Sequence, residues 1–457
     1  MGDDLIVERR TALPVSARAA WQWHAAPGWG AFERLAPPWR RVTILERPPE
    51  LTDRARLAFR VATGPFAVRW LAEHRDVRPG EGFVDFQVEG PFERWVHEHR
   101  FETAADGTAA LFDRIVCALP LGLRPGRTLV EREIHRMLTY RHALTRDELA
   151  MHAAAAHQPR IHVAITGASG LLGSALAPAL TAGGHRVTRI VRGRAEPGEI
   201  PWEPAAGRFD PNALAGVDAV IHLAGENIGA RWTPARRRRI MESREQGTRL
   251  IAEAMARCPK PPATLIAVSA VGHYGERGDE ILTESSPPGQ GFLADVTRVW
   301  EDATRPAEDA GIRVVRPRLG VVLSPRGGML QRLLLPFRAG AGGRLGSGEQ
   351  WLSWISIDDL VDVVHRALFD ERLQGSFNAV APVPVRNREL TRALARLLRR
   401  PALIPVPAVA IRLAFGEMGD QTILGSTRAV PGLLSALEHR FRHRTIESAL
   451  SHLLGHG

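Results

Sequence analysis

The pattern of apolar and polar positions changes near residue 160, and the part before it has the alternation of an antiparallel sheet. In ERWVHEHRFE, Trp95, His97, His99 and Phe101 fall on one face of a strand, and the residues between them fall on the other. EGFVDFQVEG before it and LFDRIVCALP after it also predict strands. The turn GPF joins the first two, so we expect consecutive strands of one sheet.

Helices are predicted on both sides of these strands. SARAAWQWHA begins at Ser16, a residue type that caps helices well. A longer helical pattern runs from about Thr128 to Ala155. Its apolar positions recur at helical spacing and predict one buried face: Ile134, Met137, Leu138 and Leu144. The first part of the chain is therefore predicted to be an α+β domain.

After residue 160 the pattern is typical of a nucleotide-binding domain. The apolar strand IHVAIT precedes GASGLLG, in which Gly167, Gly170 and Gly173 are three residues apart, and a helical stretch follows. The first glycine permits a tight turn, the second lets a pyrophosphate approach the backbone, and the third lets the helix pack on the strand. Free N–H groups at the helix start favour an anion. These features predict a dinucleotide site; a purely structural glycine turn is the alternative.

Further apolar strands follow at the spacing of a doubly wound parallel sheet. HRVTRIV is the second strand, and GVDAVIHLAGENI contains another, at whose end Leu223, Ala224 and Gly225 allow a cofactor to lie close. Ser269 lies at the carboxyl end of the apolar strand in TLIAVSAVG. Ligands of such sheets bind at the carboxyl ends of the strands. We therefore expect all of these residues at one ligand-binding edge.

The end of the second strand favours NADP over NAD. A site for NAD commonly has an acid there that binds the ribose hydroxyls. This chain has Val191, Arg192, Gly193 and Arg194 instead. Arg192 could bind a 2′-phosphate through its planar fork of N–H groups. The alternative is that these are solvated arginines in an arginine-rich chain.

The composition is that of a globular protein from a reducing compartment. Hydrophobic residues make up 44% of the 457 positions, and no apolar run is long enough to cross a bilayer. Cys117 and Cys258 are the only cysteines, which argues against a disulfide framework. The start, MGDDLIVERR, has no apolar signal-peptide core. We expect no membrane span and a cytoplasmic location.

The basic charge has a less specific origin than nucleic-acid binding. The formal net charge is +10, but Lys260 is the single lysine among 60 basic residues. Such a preference for arginine in an alanine-rich chain is typical of codon bias. The run Arg236–Arg239 lies in a helical pattern, where a solvated face is the expected role. We expect no nucleic-acid partner.

The chain lacks the proton-transfer pair Tyr-x-x-x-Lys of short-chain dehydrogenases. Its two tyrosines, Tyr140 and Tyr274, have Leu144 and Gly278 four residues later. In the helix that would carry the pair, FLADVTRVWE, the matching positions are Leu293 and Thr297. Any redox chemistry here must therefore use another proton donor.

Two resemblances to known families follow from these motifs. Residues 4–150, with LAPPW, GFVDFQVEGPFERWVHEHRFE and the long helix, resemble the START-like, polyketide-cyclase-like helix-grip domains. That resemblance implies an apolar cavity and an apolar ligand. Residues 161–385 resemble the extended short-chain dehydrogenase relatives called NAD(P)-dependent epimerase-family proteins, some labelled cell-division-inhibitor-like. The motifs that carry this second resemblance are TGASGLLG, HLAGENIGARWT, SAVGHYGERGDE, RPRLGVVL and QWLSWISIDDLVDVV.

The resemblances predict three domains. A START-like helix-grip domain covers 1–156, an NADP-binding Rossmann domain covers 160–395, and a small helical domain, similar to the domain of unknown function that ends this family, covers 401–457. On the family pattern, Arg192 matches the basic position after the second strand, and Ser269 matches the serine of the catalytic strand. Ten residues are expected to bind the cofactor: Gly167, Ser169, Gly170, Leu171, Leu172, Gly173, Arg192, Leu223, Ala224 and Gly225.

The catalytic residues are a separate hypothesis. Tyr274, His273 and Glu226 are the candidates for the missing acid, and each could instead have only a packing or solvated role. We predict that Ser269 orients a substrate and Tyr274 donates a proton. The glycine-rich segment 339–354, with Trp351 and Trp354, forms either a lid or a plain loop.

The predicted function is an NADP(H)-dependent oxidoreductase or epimerase-like activity on an unknown small molecule. The alternative is a regulatory module that senses NADP(H) without turnover. No metal site is expected: His97 and His99 share a strand face, as ligands can, but no third ligand is evident.

Overall fold

The computed structural model describes residues 4–63, 66–120 and 125–456, and the chain falls into two compact units. One contains the chain up to Pro159 together with Pro178–His185 and the residues from His452. The other contains Arg160–Ala177 and Arg186–Ser451. The segment predicted as a third domain, 401–457, is thus mostly grouped with the second unit. The predicted domain boundaries stay predictions.

The first unit has a seven-stranded antiparallel sheet in the order β1-β7-β6-β5-β4-β3-β2. Its strands are β1 (Leu5–Leu13), β2 (Arg41–Glu46), β3 (Arg56–Thr63), β4 (Phe66–Arg78), β5 (Gly82–Glu89), β6 (Arg94–Thr103) and β7 (Ala109–Ala118). Its helices are α1 (Ala17–His24), α2 (Gly30–Leu35) and α3 (Arg127–Ala154). This is the helix-grip order, with a long last helix against the sheet.

The helix cap and the burial patterns that the sequence predicts for the first unit are confirmed. The Ser16 hydroxyl accepts a hydrogen bond from the Ala19 amide (3.3 Å), as an N-cap does. Strand β6 buries alternate residues, including His97 and His99. Helix α3 buries Ile134 and Leu138 on the side that the periodicity predicts.

The second unit is built on parallel strands in the order β10-β9-β8-β11-β12-β15, and β13 and β19 both pair with β15. The strands of this sheet are β8 (His162–Thr166), β9 (Arg186–Arg192), β10 (Ile200–Trp202), β11 (Ala219–His222), β12 (Thr264–Ala267), β13 (Ser269–Ala270), β15 (Arg313–Leu319) and β19 (Gly375–Ala379). Short pairs outside it are formed by β14 (Ile281–Leu282), β16 (Val321–Leu323), β17 (Trp351–Leu352), β18 (Trp354–Ser356), β20 (Val385–Arg386) and β21 (Arg428–Ala429). The chain order reverses at β8, because β9 lies on one side of it and β11 on the other. That is where such folds bind dinucleotides.

Helices connect these strands. They are α4 (Gly173–Ala182), α5 (Pro234–Arg257), α6 (Phe292–Asp302), α7 (Arg305–Asp309), α8 (Gly328–Arg338), α9 (Ile357–Phe369), α10 (Asn387–Leu398), α11 (Ala408–Phe415), α12 (Gly432–Ala436) and α13 (Ile446–Leu454). The last three make the C-terminal region helical. Asp359 at the start of α9 accepts hydrogen bonds from the Arg442 and His443 amides (2.6 and 3.2 Å), which ties that region to the Rossmann unit.

Among the described residues, no helix has both the length and the apolar character that crossing a membrane requires.

Candidate functional site

The glycine-rich loop after β8 has the geometry of a phosphate-binding turn. Gly167 has a φ of +67°, and a Cβ there would lie 2.9 Å from the Ala224 amide nitrogen. A Cβ on Gly173 would lie 2.4 Å from the Gly167 carbonyl oxygen. No other residue type fits either position without moving backbone, so the glycine spacing reflects space as well as conformation.

The loop presents its middle to solvent and is joined to the neighbouring strand. Ser169 and Gly170 are exposed, and Leu171 and Leu172 are half-buried just before α4. The Thr166 hydroxyl accepts hydrogen bonds from the Leu223 and Ala224 amides (3.1 and 3.3 Å). The structure therefore brings together the loop and the segment after β11, as the sequence predicted for a cofactor edge.

Arg192 is the last residue of β9, beside β8 at the same sheet edge. Its side chain is exposed and makes no hydrogen bond or ion pair with any residue that the structure describes. Val191 and Gly193 flank it, and no carboxylate occupies the strand end. The fork of Arg192 is therefore available to an anionic ligand.

The two hydroxyls predicted to be catalytic are both hydrogen-bonded to interior side chains. Ser269 is buried, and its Oγ donates to Glu301 Oε1 (2.7 Å). Tyr274 is fully buried; its hydroxyl donates to Asn378 Oδ1 (2.7 Å) and accepts from Arg318 Nη1 (3.1 Å). This geometry favours a structural role for the phenol, and its catalytic role stays a prediction.

Glu301 and Arg318 form the ion pair that organises both hydroxyls. Arg318 Nε and Nη2 donate to the two oxygens of Glu301 at 2.8 and 2.9 Å, a bidentate arrangement. Burial alone raises the pKa of Glu301, but Arg318 outweighs it and the pKa is lowered. Burial raises the pKa of Tyr274. The phenol therefore stays protonated in this environment.

Sequence reasoning missed Glu301, Arg318 and Asn378 as partners of the hydroxyls. All three lie in helix α6 or in strands β15 and β19, far along the chain from Ser269. The register of β13 on β15 places Ser269 opposite Arg318. No local spacing encodes that pairing.

The remaining candidates for an acid have other partners or lie in the interior. Glu226 lies 3.7 Å from Arg236 and 3.8 Å from Arg239 in loose ion pairs. His273 is buried, and burial, followed by Arg318, lowers its pKa. A neutral, buried imidazole is a poor proton donor at neutral pH.

The two tryptophans of the segment predicted to be a lid or a loop have different environments. Trp354 is fully buried in β18, which favours a packing role for it. The pattern QWLSW marks core as well as loop. Trp351 is half-buried, and its indole N–H donates to Asp279 Oδ1 (2.5 Å).

The first unit has a partly open cavity of about 440 Å³ between its sheet and helix α3. Most of its lining is apolar, and one end is polar, with Asp85, His97, His74, His24 and Arg141. A volume of this size is within the range of small-molecule sites. The cavity agrees with the helix-grip expectation.

Buried histidines and aspartates form a network at the polar end. Asp85 binds His74 Nδ1 (2.5 Å) and His99 Nε2 (3.1 Å), and Asp113 binds His99 Nδ1 (2.8 Å) and His142 Nε2 (3.1 Å). The sequence showed no third ligand for His97 and His99; Asp85 pairs with His97 across β5 and β6. The ligand atoms of Asp85, His97 and His99 lie within 4.8 Å of one another, so this set could hold a metal ion.

Comparison with known proteins assigns families to all three parts of the chain. The NAD dependent epimerase/dehydratase family profile matches residues 163–379, the polyketide cyclase/dehydrase and lipid transport profile matches 13–137, and the domain of unknown function DUF1731 matches 406–453.

Curated relatives and solved structures agree with these matches. An epimerase family protein of Mycobacterium bovis is 46% identical over 292 residues, which is 64% of this chain and 96% of that protein. A structure described as a nucleoside-diphosphate sugar epimerase from Corynebacterium glutamicum is 35% identical, with a TM-score of 0.82, over 98% of this chain and 90% of that chain. The human epimerase family protein SDR39U1, solved with NADPH, is 33% identical, with a TM-score of 0.59, over 64% of this chain and 99% of that chain. This chain therefore belongs to the epimerase family, with a polyketide-cyclase-like domain before its Rossmann domain and a DUF1731 domain after it.

Proposed function

We propose that the protein binds NADP(H) and uses it in a redox reaction on a small molecule. The observation that carries the proposal is the glycine loop beside Arg192, whose fork makes no hydrogen bond or ion pair with the described residues. The loop offers backbone N–H groups to a pyrophosphate, and Arg192 offers a charge and a fork to a 2′-phosphate. The human relative solved with NADPH supports the same choice of cofactor.

Ten residues would hold the cofactor, and they are those predicted from the sequence. Gly167, Ser169, Gly170, Leu171, Leu172 and Gly173 would surround the phosphates, Arg192 would bind the 2′-phosphate, and Leu223, Ala224 and Gly225 would lie along the cofactor. Bound NADPH supplies a hydride. Where a carbonyl is reduced, Ser269 would orient it and Tyr274 would supply the proton, provided that both hydroxyls first leave their partners Glu301 and Asn378.

The cofactor preference is tested by calorimetric titration with NADPH and NADH. We expect NADPH to bind more tightly, and Arg192→Gln to weaken NADPH by ~1.5–3 kcal/mol, the value of a hydrogen bond to a charged group. NADH binding should hardly change. Arg186→Gln is the matched control, because Arg186 is exposed at the other end of β9. Equal affinities for the two cofactors, or an unchanged NADPH affinity in Arg192→Gln, would count against the proposal.

A second candidate function is sensing of NADP(H) without turnover. It is favoured by the complete burial of Tyr274 and by the engagement of its hydroxyl with Asn378 and Arg318. A screen of carbonyl compounds with NADPH oxidation as the readout separates the two candidates. Stoichiometric NADPH binding without oxidation across the screen would favour sensing.

An apolar ligand in the cavity of the first unit is the other part of the proposed function. The support is the cavity itself and the match to the polyketide cyclase and lipid transport profile. Such a ligand should stabilise the first unit, because it would bind only the folded state. Thermal unfolding of the whole chain with and without medium-chain lipids measures this.

A further inference from the structure

Arg141, which lines the cavity of the first unit, has no counter-ion among the residues that the structure describes. Arg141 lies on α3 in phase with Val130, Ile134 and Met137, at spacings of four, three and four residues, and all four line the cavity. The helix therefore places the Arg141 guanidinium among cavity-lining residues that are mostly apolar. Arg141 makes no hydrogen bond or ion pair with any residue in the described part of the chain, and its Nε is buried.

A second arginine that lines the cavity is neutralised by an ion pair within the protein. Arg40 also lines the cavity, and it is paired with Glu133 at 3.1 Å. An unpaired charge taken out of water is costly, so a charge in such a place normally has a partner. Arg141 is half-buried with its Nε out of contact with water, and no described residue supplies an anion to it, so an anionic ligand group would complete its environment.

The carboxylates near Arg141 are already committed. Both oxygens of Asp85 are bonded to His74 and His99, and those of Asp113 to His99 and His142. His97, which also lines the cavity, is buried; its Nε2 lies 3.5 Å from Asp113 Oδ2 and makes no hydrogen bond among the described residues. The imidazole of His97 can donate one hydrogen bond to a ligand in the cavity.

The rest of the lining specifies the other end of the ligand. The walls around the cavity are aromatic and aliphatic, and their aromatic residues include Trp29, Phe59, Trp70, Phe92 and Trp95. Rings of this size bind an apolar body by area and shape. The cavity thus combines an apolar chamber with Arg141, which has no ion-pair partner among the described residues, and with the imidazoles of His97 and His74, whose Nε2 atoms make no hydrogen bond there.

We infer that this cavity binds a monocarboxylate with an apolar tail, whose carboxylate is held by the fork of Arg141 and by His97. The inference rests on the proposal that the cavity takes an apolar ligand and adds the identity of the head group. The tail is either an alkyl chain or an aromatic ring system. The head group is the same in both cases, so the test uses one pair of ligands for each kind of tail.

The test uses the full chain and pairs of ligands that differ only in the head group. Decanoate is compared with 1-decanol, and 2-naphthoate with 2-naphthalenemethanol, by calorimetry in the presence of EDTA. We expect at least one acid to bind at least tenfold more tightly than its alcohol. Arg141→Met should weaken the acid about 10- to 100-fold and leave the alcohol nearly unchanged, because only the acid loses a charge-assisted fork.

Two variants complete the design. Arg132→Gln is the matched control, because Arg132 is exposed on the same helix and makes no hydrogen bond or ion pair among the described residues. It should bind both ligands as the unmodified chain does. Arg141→Lys keeps the charge without the fork and covers the case in which Arg141→Met fails to fold; we expect intermediate affinity for the acid.

Each outcome decides a different question. Alcohols that bind as tightly as the acids would overturn the head-group assignment and leave the apolar cavity standing. No binding by any probe would overturn both proposals. An acid preference that vanishes in EDTA and returns with zinc would assign the head group to a metal held by Asp85, His97 and His99, and would overturn the role of Arg141.

Discussion

The Tyr274 hydroxyl joins three parts of the Rossmann unit. It donates to Asn378 on β19, accepts from Arg318 on β15, and through Arg318 is linked to Glu301 on α6. All these groups are at least partly buried, so the hydroxyl satisfies polar atoms that water does not reach freely. A hydroxyl in this position can be essential to activity without donating a proton to a substrate.

Tyr274→Phe separates the two roles. A structural role predicts a loss of about 1–3 kcal/mol in the free energy of unfolding, because Asn378 and Arg318 lose a buried partner. A catalytic role predicts a fall in turnover of ~10²–10⁴ with nearly unchanged NADPH affinity. We expect the stability loss in urea unfolding, and, once a substrate is known, the fall in turnover as well. Tyr140→Phe, in the other unit, is the control for turnover. A Tyr274→Phe chain as stable and as active as the unmodified one would contradict both roles.

At the residue scale, the sequence predicts where a residue lies in its strand or turn better than it predicts which side chains that residue contacts. The glycines of the loop were predictable because the constraint at each is local. Either the turn requires a positive φ, or a neighbouring backbone atom leaves no room for a Cβ. Ser269 was placed correctly at a strand end, but its bond to Glu301 depends on how α6 lies on the sheet. Such partners are set by tertiary packing between distant segments, which no spacing in one sequence reveals.

The loop between β8 and α4 is the element on which cofactor binding depends most directly. A Cβ on Gly173 would collide with the Gly167 carbonyl at 2.4 Å and with the Ala168 Cα at 2.6 Å. Because these are backbone atoms, the collision cannot be relieved by a side-chain rotation. The loop itself would have to shift.

Gly173→Ala should therefore weaken NADPH at least tenfold, and overpacking should cost roughly 1–3 kcal/mol of stability. Calorimetry and urea unfolding measure the two effects. Gly247→Ala in α5 is the matched control, since a Cβ there would have its nearest neighbour, a Trp202 ring atom, at an ordinary 3.6 Å. Unchanged NADPH affinity in Gly173→Ala would show that the cofactor does not use this loop.

The stability of the first unit should depend on pH, because two buried histidines of β6 have shifted pKa values. Burial alone lowers the pKa of His99, but Asp113 and Asp85 outweigh it and raise the pKa to about 9. The ordinary value is 6.5, so the stability that His99 contributes is fully present below pH 6.5 and is lost as the pH rises through 9. Burial lowers the pKa of His97 to about 4, with the opposite consequence: its contribution is lost as the pH falls below 6.5.

Hydrogen exchange of the β6 amides should therefore report a decline in protection between pH 6.5 and 9, after correction for the intrinsic exchange rate. The decline should be on the order of 1–3 kcal/mol. It should be absent in His99→Gln and present in His135→Gln, because His135 is exposed on α3. Protection that does not change over this pH range in the unmodified chain would contradict a protonated His99.

At the element scale, periodicity predicted strands and helices, but not their lateral pairing. The alternation in β6 and the stripe along α3 are local and strong. The pairing of Asp85 with His97, and of Asp113 with His99, follows from the hairpin register. That register joins three strands into one polar cluster, and this is why a third partner for the two histidines was missed.

At the scale of the whole molecule, the composition was less informative than the order of the elements. The formal net charge of +10 does not by itself identify a partner, because arginines of the run at the start of α5 contact other residues of the protein. Arg237, for example, lies over the Phe292 ring and is paired with Glu417. The order of strands and helices, in contrast, gave both architectures, because an antiparallel meander and a parallel α/β alternation leave different patterns in a sequence.

The predicted boundary after residue 156 is testable by expressing residues 1–156 alone. This segment contains the complete seven-stranded sheet, the helices α1 to α3 and all of the residues that line the cavity. We expect cooperative unfolding, because this sheet and its helices already enclose a core. The compact unit also includes Pro178–His185 and residues after His452, so the segment should be less stable than the same unit in the full chain. Decanoate at 100 times its dissociation constant should then stabilise it by about 2.7 kcal/mol. A segment without a cooperative transition, with and without decanoate, would show that the first unit needs the rest of the chain to fold.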